Sequence, residues 1–125
     1  MGGMSETADA PFGDRTPANL ELLLLAVLAR EPLHGYAIIV SLRQLSGGLF
    51  ELNEGSAYPA LHRLERTGMV ESAWSEVQGR RRRVYRLTRK GRRALADGTS
   101  LWERTADAVR AVLAPPPART RRRRT

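Results

Sequence analysis

The chain has no cysteine, which excludes a disulfide framework, a thiolate metal site and a thiol redox switch. Histidine is nearly as scarce. His34 and His62 are the only two, on different predicted elements; no Ser-His-Asp set is apparent, and two separated His with scattered carboxylates are too few ligands for a metal sensor. There is no phosphate-cradling glycine loop and no helix with paired carboxylates. The sequence therefore offers no enzyme chemistry and implies no cofactor and no metal. No apolar run nears the roughly 20 residues that cross a bilayer. The opening "MGGMSETADAPFGDRTP" lacks the basic and apolar regions of a signal peptide. A cytoplasmic protein without a membrane partner is expected.

Lysine, too, is almost missing. Of 21 basic residues only Lys90 is a lysine; the other 20 are arginine. With 13 acids the formal net charge is +8, and its placement says more than its size. The C-terminal tail holds five arginines (Arg119 and Arg121 to Arg124), and the first sixteen residues carry a net of −2, which leaves +5 on residues 17 to 114. Nine basic side chains and no acid fall between 78 and 93, so the rest of that stretch sums to −4. A focused positive segment on a slightly acidic body favours a polyanionic partner.

At 125 residues this is one small domain with a single modest core. Residues 1–16 are small, polar and predicted to be a disordered tail. Asn19 or Thr16 is placed to cap a first helix through "LELLLLAVLAR", apolar on nearly every side and ended by Glu31-Pro32. A helix of that kind must be covered on more than one side, and in so short a chain a second subunit is the natural cover. A second helix is expected from about Gly35 to Leu45, with Tyr36, Ile38, Ile39 and Leu42 as its apolar stripe and Gly47-Gly48 as its stop. "LFELN" reads as a short extended piece. Two strands, "VESAWSEV" and "RVYRLT", follow a third helix and are joined by "QGRRR". Trp74, between Ser and Ala on the first of them, is expected in the core. Thr88 is a good cap for a last helix to about Ala114, and 115–125 is predicted to be a disordered, Arg-rich tail. The order is helix, helix, short strand, helix, hairpin, helix. That is a mainly α (α+β) chain: a winged helix-turn-helix over residues 17–88, with a dimerisation helix over 89–114.

The third helix, "EGSAYPALHRLERTG", poses the functional question. With Ser56 as its N-cap, Pro59 falls at the third helical position, where its missing N–H costs nothing. At about 100° per residue, Ala57, Ala60, Leu61 and Leu64 form one face, and Pro59, His62, Arg63 and Arg66 the other. In a helix-turn-helix this second helix lies in the major groove, so Ser56, Pro59, His62 and Arg63 are candidate base contacts. Arg63 suits a guanine edge, and Tyr58 on the flank suits a phosphate. The same face could be an ordinary solvated one. Arg80, Arg81, Arg82 and Arg83, on and beside the hairpin turn, favour the first reading. Like charges so dense repel unless a counter-anion lies among them, and four neutralised phosphates would give a slope of about −3.6 in log K against log salt. Arg89, Lys90, Arg92 and Arg93 sit in the first turns of the last helix, where its dipole disfavours cations.

In that last helix Leu95, Thr99, Trp102, Ala106, Val109 and Leu113 recur at alternating spacings of four and three, the seam of a coiled-coil-like contact. With Leu22 and Leu25 of the first helix they are the expected dimer interface, suited to a DNA site with two-fold symmetry. Two Trp102 indoles across that axis could sandwich a small, flat aromatic or cationic effector, lined by Leu22, Ala26, Leu95, Thr99 and Ala106. The ring could equally just fill the interface.

"LLLLAVLAREPLHGYAII", "NEGSAYPALHRLERTGMVES", "GRRRRVYRLTRKGRRAL" and the following Trp102 together resemble the PadR family of bacterial transcriptional regulators. The resemblance covers about residues 20 to 113, and the single C-terminal helix is that of the short subfamily. It implies a dimeric repressor bound to an inverted-repeat operator. It also implies Tyr36, Ser56, Tyr58, His62, Arg63 and the wing arginines as DNA contacts. His62 stands where the family often has Lys. Multidrug-sensing members stack their ligands on a Trp at the position of Trp102. The competing reading is a basic winged-helix module that binds RNA or the ribosome without sensing an effector. RNA readers usually display stacking aromatics, and this chain has 6% aromatic residues in all.

Overall fold

A computed structural model of the protein describes residue 17 and residues 19–118. The N-terminal segment with Thr16, and the arginine run from 119 onward, lie outside the described residues, and so do the expectations of disorder placed on them. The elements are helix α1 (Leu20–Arg30), strand β1 (Leu33–His34), helix α2 (Gly35–Leu45), helix α3 (Glu54–Arg66), strands β2 (Val70–Val77) and β3 (Arg80–Leu87), and helix α4 (Arg89–Leu113). The sheet is antiparallel in the order β1-β3-β2. Among the described residues, no helix is long and apolar enough to cross a membrane.

One core holds these elements together. Leu24, Leu25, Val27 and Leu28 of α1 meet Ile38 and Leu42 of α2, the Ala57, Ala60, Leu61 and Leu64 face of α3, and Val70, Tyr85 and Leu87 of the sheet. The α3 face is the one its periodicity predicts. The α2 stripe needs a correction: Ile38 and Leu42 are buried, but Tyr36 is 58% exposed on the opposite side. The short strand is also displaced. It is Leu33–His34, ahead of α2 and paired with Tyr85 and Val84, whereas "LFELN" belongs to no strand.

Helix α3 is capped by Asn53, whose Oδ1 accepts from the Ser56 N–H at 3.0 Å, rather than by Ser56. Ser56 is thus the third helical residue. Pro59 moves to the sixth, where its ring removes the N–H that would have bonded the Gly55 carbonyl. At the other end Gly68 is left-handed at φ +79°, with its N–H on Glu65 and the Met69 N–H on Leu64, a Schellman closure.

That closure is the start of a joint. The Thr88 amide and hydroxyl both donate to the Met69 carbonyl, at 3.1 Å each, and the hydroxyl also reaches the Gly68 carbonyl at 2.6 Å. Thr88 Oγ1 in turn accepts from the Gly91 N–H at 3.0 Å and so caps α4. Gly91 has to be glycine, since a Cβ there would lie 2.0 Å from the Met69 carbonyl oxygen. Lys90 spans the same joint, its Nζ donating to the Thr67 carbonyl at 2.7 Å. Its charge, unfavourable for its own helix, serves the C-terminus of α3.

Gly98, further along α4, lets Leu22 of α1 approach; a Cβ there would stand 2.6 Å from Leu22 Cδ1. The two glycines differ in what they meet, backbone against the tip of a side chain. Gly91→Ala is expected to cost about 1–3 kcal/mol of stability. Gly98→Ala should change it much less, because Leu22 can turn aside and the helix gains up to ~1 kcal/mol of propensity. Thermal unfolding of the two variants checks this; equal melting temperatures would contradict it.

Candidate nucleic-acid interface

The candidate surface is built from the starts of α2 and α3 and from the β2–β3 wing. Tyr36, the second residue of α2, stands out from its helix, and Pro59 and His62 are exposed on α3. Tyr58 is half-buried because its ring lies over the first residue of α2, so close that a Cβ on Gly35 would be 2.5 Å from its hydroxyl. Burial pushes the Tyr58 phenol above its ordinary pKa; the Glu54 carboxylate adds to this and the Arg82 guanidinium opposes it. It therefore stays protonated at neutral pH, able to donate. Ser56 is only partly accessible, with its amide committed to the Asn53 cap.

Arg63 is tethered. Its Nε donates to Glu21 Oε2 of α1 at 2.7 Å, with both side chains about half exposed. Exposed pairs of this kind contribute about 0–1 kcal/mol, so a stronger anion can compete for the guanidinium. No sequence signal marks this partner, 42 positions away.

The wing differs most from its sequence reading. Its turn is only Gln78-Gly79, with φ of +54° and +76°, and Val77 pairs directly with Arg80. Positive φ at both positions is the type I′ geometry that suits the twist of a two-residue hairpin. Arg80 to Arg83 are therefore ladder residues of β3, not turn residues, and alternate between two faces. Arg81 and Arg83 share a face with Tyr85; Arg80 and Arg82 point the other way. The basic segment is a line rather than a patch: β3 carries it about 26 Å from the tip to Arg89, Arg92 and Arg93 on α4.

Trp74 belongs to this line and not to the core. It is 53% exposed, opposite Arg83 in the ladder, with the Arg81 and Arg83 guanidinium carbons 4.8 and 5.3 Å from its ring centre. Val70 starts the core-facing set on β2, and Ser72, Trp74 and Glu76 carry that face out past the core. Arg83 also lies 3.9 Å from Glu65, itself held by the Ser72 hydroxyl at 2.7 Å. On the other face Arg82 Nε is, among the described residues, the only buried side-chain nitrogen or oxygen without a hydrogen-bond partner. Arg82 and Gln78 close an open recess of about 460 Å³ whose opposite wall is His34, Tyr36 and Gln44. Burial, and next to it Arg82, lowers the His34 pKa, which favours its neutral imidazole. Arg82 is the one cation lining this recess, the Glu31 carboxylate lines it too, and Tyr36, Gln44 and Gln78 add neutral hydrogen-bonding groups beside them. Among the described residues no group of three or more metal-ligating side chains occurs.

The second predicted site divides. Leu25 is buried in the core of its own chain and is not available to a partner. Leu22 packs on Gly98 of the same chain, so the α4 neighbour of α1 is the chain's own. Ala26 lines an apolar groove of about 280 Å³ with Leu23, Leu45 and Phe50. Beyond Gly98, helix α4 presents Leu101, Trp102, Val109, Val112 and Leu113 to solvent, Trp102 at 49% and Val112 at 83%. Leu95 and Ala106 are half-buried and Thr99 is exposed. The stripe is wider than the seam read from the sequence, gaining Leu101 and Val112.

Comparison with known proteins agrees with this geometry. The family model of the transcriptional regulator PadR-like family matches residues 24–97. The chain is 37% identical over 92 residues to the transcriptional regulator Rv3488 of Mycobacterium tuberculosis, covering 74% of this chain and 83% of that one. Among solved structures, a transcriptional regulator from Clostridium thermocellum superimposes with a TM-score of 0.70 at 26% identity, over 75% of this chain and 92% of the other. A PadR family transcription regulator from Clostridium difficile does so with a TM-score of 0.66 at 27% identity, over 75% and 97%. These relatives are regulators and not enzymes, and the fold they share is a winged helix with a β hairpin. By the extent of the family match and by the identity to Rv3488, this chain belongs to the PadR-like family of transcriptional regulators.

Proposed function

We propose that the chain acts in the cytoplasm as a homodimeric repressor that binds an inverted-repeat operator and is released by a planar aromatic or cationic ligand at the dimer axis. The observation that carries the DNA-binding part is the wing. Among the described residues Arg80, Arg81 and Arg82 have no carboxylate partner, while Arg63 and Arg83 do. Like charges left together without internal acids disfavour the folded state unless an external anion neutralises them. In this reading the wing arginines grip phosphates, Tyr36 and Tyr58 position the backbone, and Pro59, His62 and a released Arg63 face base edges, with Ser56 at the helix start.

The apolar stripe on α4 supports the dimer. Five large apolar side chains on one exposed helix face form a patch that single chains seldom leave to water. A second copy of α4 covers it, placing two reading heads about 34–36 Å apart. Trp102, beside the smaller Thr99 and Ala106, then has its partner ring across the axis, with Leu22 and Leu95 as the flanking wall.

Three measurements test these parts. Replacing Arg80, Arg81 and Arg82 by Ala should weaken binding to all duplexes alike and flatten the slope of log K against log salt by about 2.7, which is three phosphate contacts; an unchanged slope would remove the wing from the interface. Val109→Glu with Leu113→Glu should convert a dimer into a folded monomer in sedimentation, with loss of the operator footprint; a wild-type chain that already sediments as a monomer refutes the arrangement. A planar cation should quench tryptophan emission and lower operator affinity in the wild type but not in Trp102→Ala, and an equal response in both would place the ligand elsewhere.

A further inference from the structure

We infer that Trp74 is a positioning residue for DNA binding: its exposed indole racks Arg81 and Arg83 side by side so that the wing meets the phosphate backbone with both guanidiniums already ordered. The inference rests on the wing reading above and adds a residue to it. Three observations meet at the ring. Trp74 lies outside the core, half exposed on a strand whose other residues already provide the sheet pairing. Both guanidinium carbons lie within the roughly 6 Å over which a cation is attracted to an aromatic face, at 4.8 and 5.3 Å. The ladder explains how both fit: Arg83 is directly opposite Trp74, and Arg81 is the diagonal neighbour on the same face.

The choice of a ring over a carboxylate matters for function. A carboxylate holds arginine by its N–H edge and neutralises it, as Glu21 does to Arg63. An indole holds the face of the guanidinium plane and leaves the N–H edges and the charge intact, fully so for Arg81, while Arg83 also has Glu65 at a loose 3.9 Å. Glu76, opposite Arg81 in the ladder, forms no ion pair with it among the described residues. A flexible arginine must give up side-chain freedom when it binds a phosphate, and ordering it beforehand removes that cost from the binding step.

The test uses a mixed-sequence duplex of about 30 base pairs, because backbone contacts need no operator. Trp74→Leu keeps apolar bulk and removes the aromatic face. It should weaken binding about fivefold to tenfold, the range that two exposed cation–ring contacts can supply, with the salt slope unchanged because both charges remain. Trp74→Phe should restore most of the affinity. In an Arg81→Ala, Arg83→Ala background, Trp74→Leu should add no further loss. An equal loss in both backgrounds would mean that the ring touches DNA itself, and no loss in the wild-type background would mean that it orders nothing; either overturns the inference. If Trp74→Leu lowers the melting temperature, Trp74→Phe compared across the two backgrounds decides the same question, since its smaller ring should cost affinity only where the arginines are present. If Arg81→Ala with Arg83→Ala itself binds like wild type, it is the wing reading that fails.

Discussion

The Met69 carbonyl is the point on which the working geometry turns. It takes two hydrogen bonds from Thr88 and forbids a side chain on Gly91. The C-terminus of α3, the end of β3 and the start of α4 are thereby locked within one turn of backbone. The orientation of α3 relative to the wing, and of both relative to the exposed stripe on α4, follows from that lock. Hydrophobic burial provides most of the stability here, as in any small domain, but apolar packing is tolerant of shape. The carbonyl joint is directional, and direction is what fixes α3 against the wing.

The arginines are sorted by the fold into different circumstances. Arg63 and Arg83 have carboxylates within reach, Arg81 shares an aromatic ring with Arg83, and Arg82 has its Nε buried without a partner. A segment with one uniform sign in the sequence is therefore graded in three dimensions. Compensation is confined to the middle of β3, where Arg81 and Arg83 meet Trp74 and Arg83 also nears Glu65.

How much of this could be read from the residues depends on the range over which each feature is decided. Thr88 and the apolar face of α3 depend on their immediate neighbours, and the structure has them where the pattern puts them. The cap of α3 falls to Asn53 rather than Ser56 because both residues are competent caps three positions apart, and only the backbone turn chooses between them. Strand β1, two residues long, is too short to show any period. Trp74 escapes a sequence reading because alternation gives the face of a strand but not the point at which the core ends beneath it. Glu21 with Arg63, and Leu25 within its own chain rather than between chains, are set by packing across the fold.

Lys90 carries a practical consequence. As the only lysine, it bears the single side-chain amine in the chain, and that amine is engaged with the Thr67 carbonyl at the end of α3. Acylating reagents, whether a fluorophore ester, a surface-coupling chemistry or an enzymatic acetyl donor, find no neutral spread of lysine targets here. Apart from the chain's own amino terminus they would act on one joint, removing a charge that faces the carbonyl end of α3. Immobilisation or labelling by such routes would report on a protein whose α3–α4 joint had been loosened by the label.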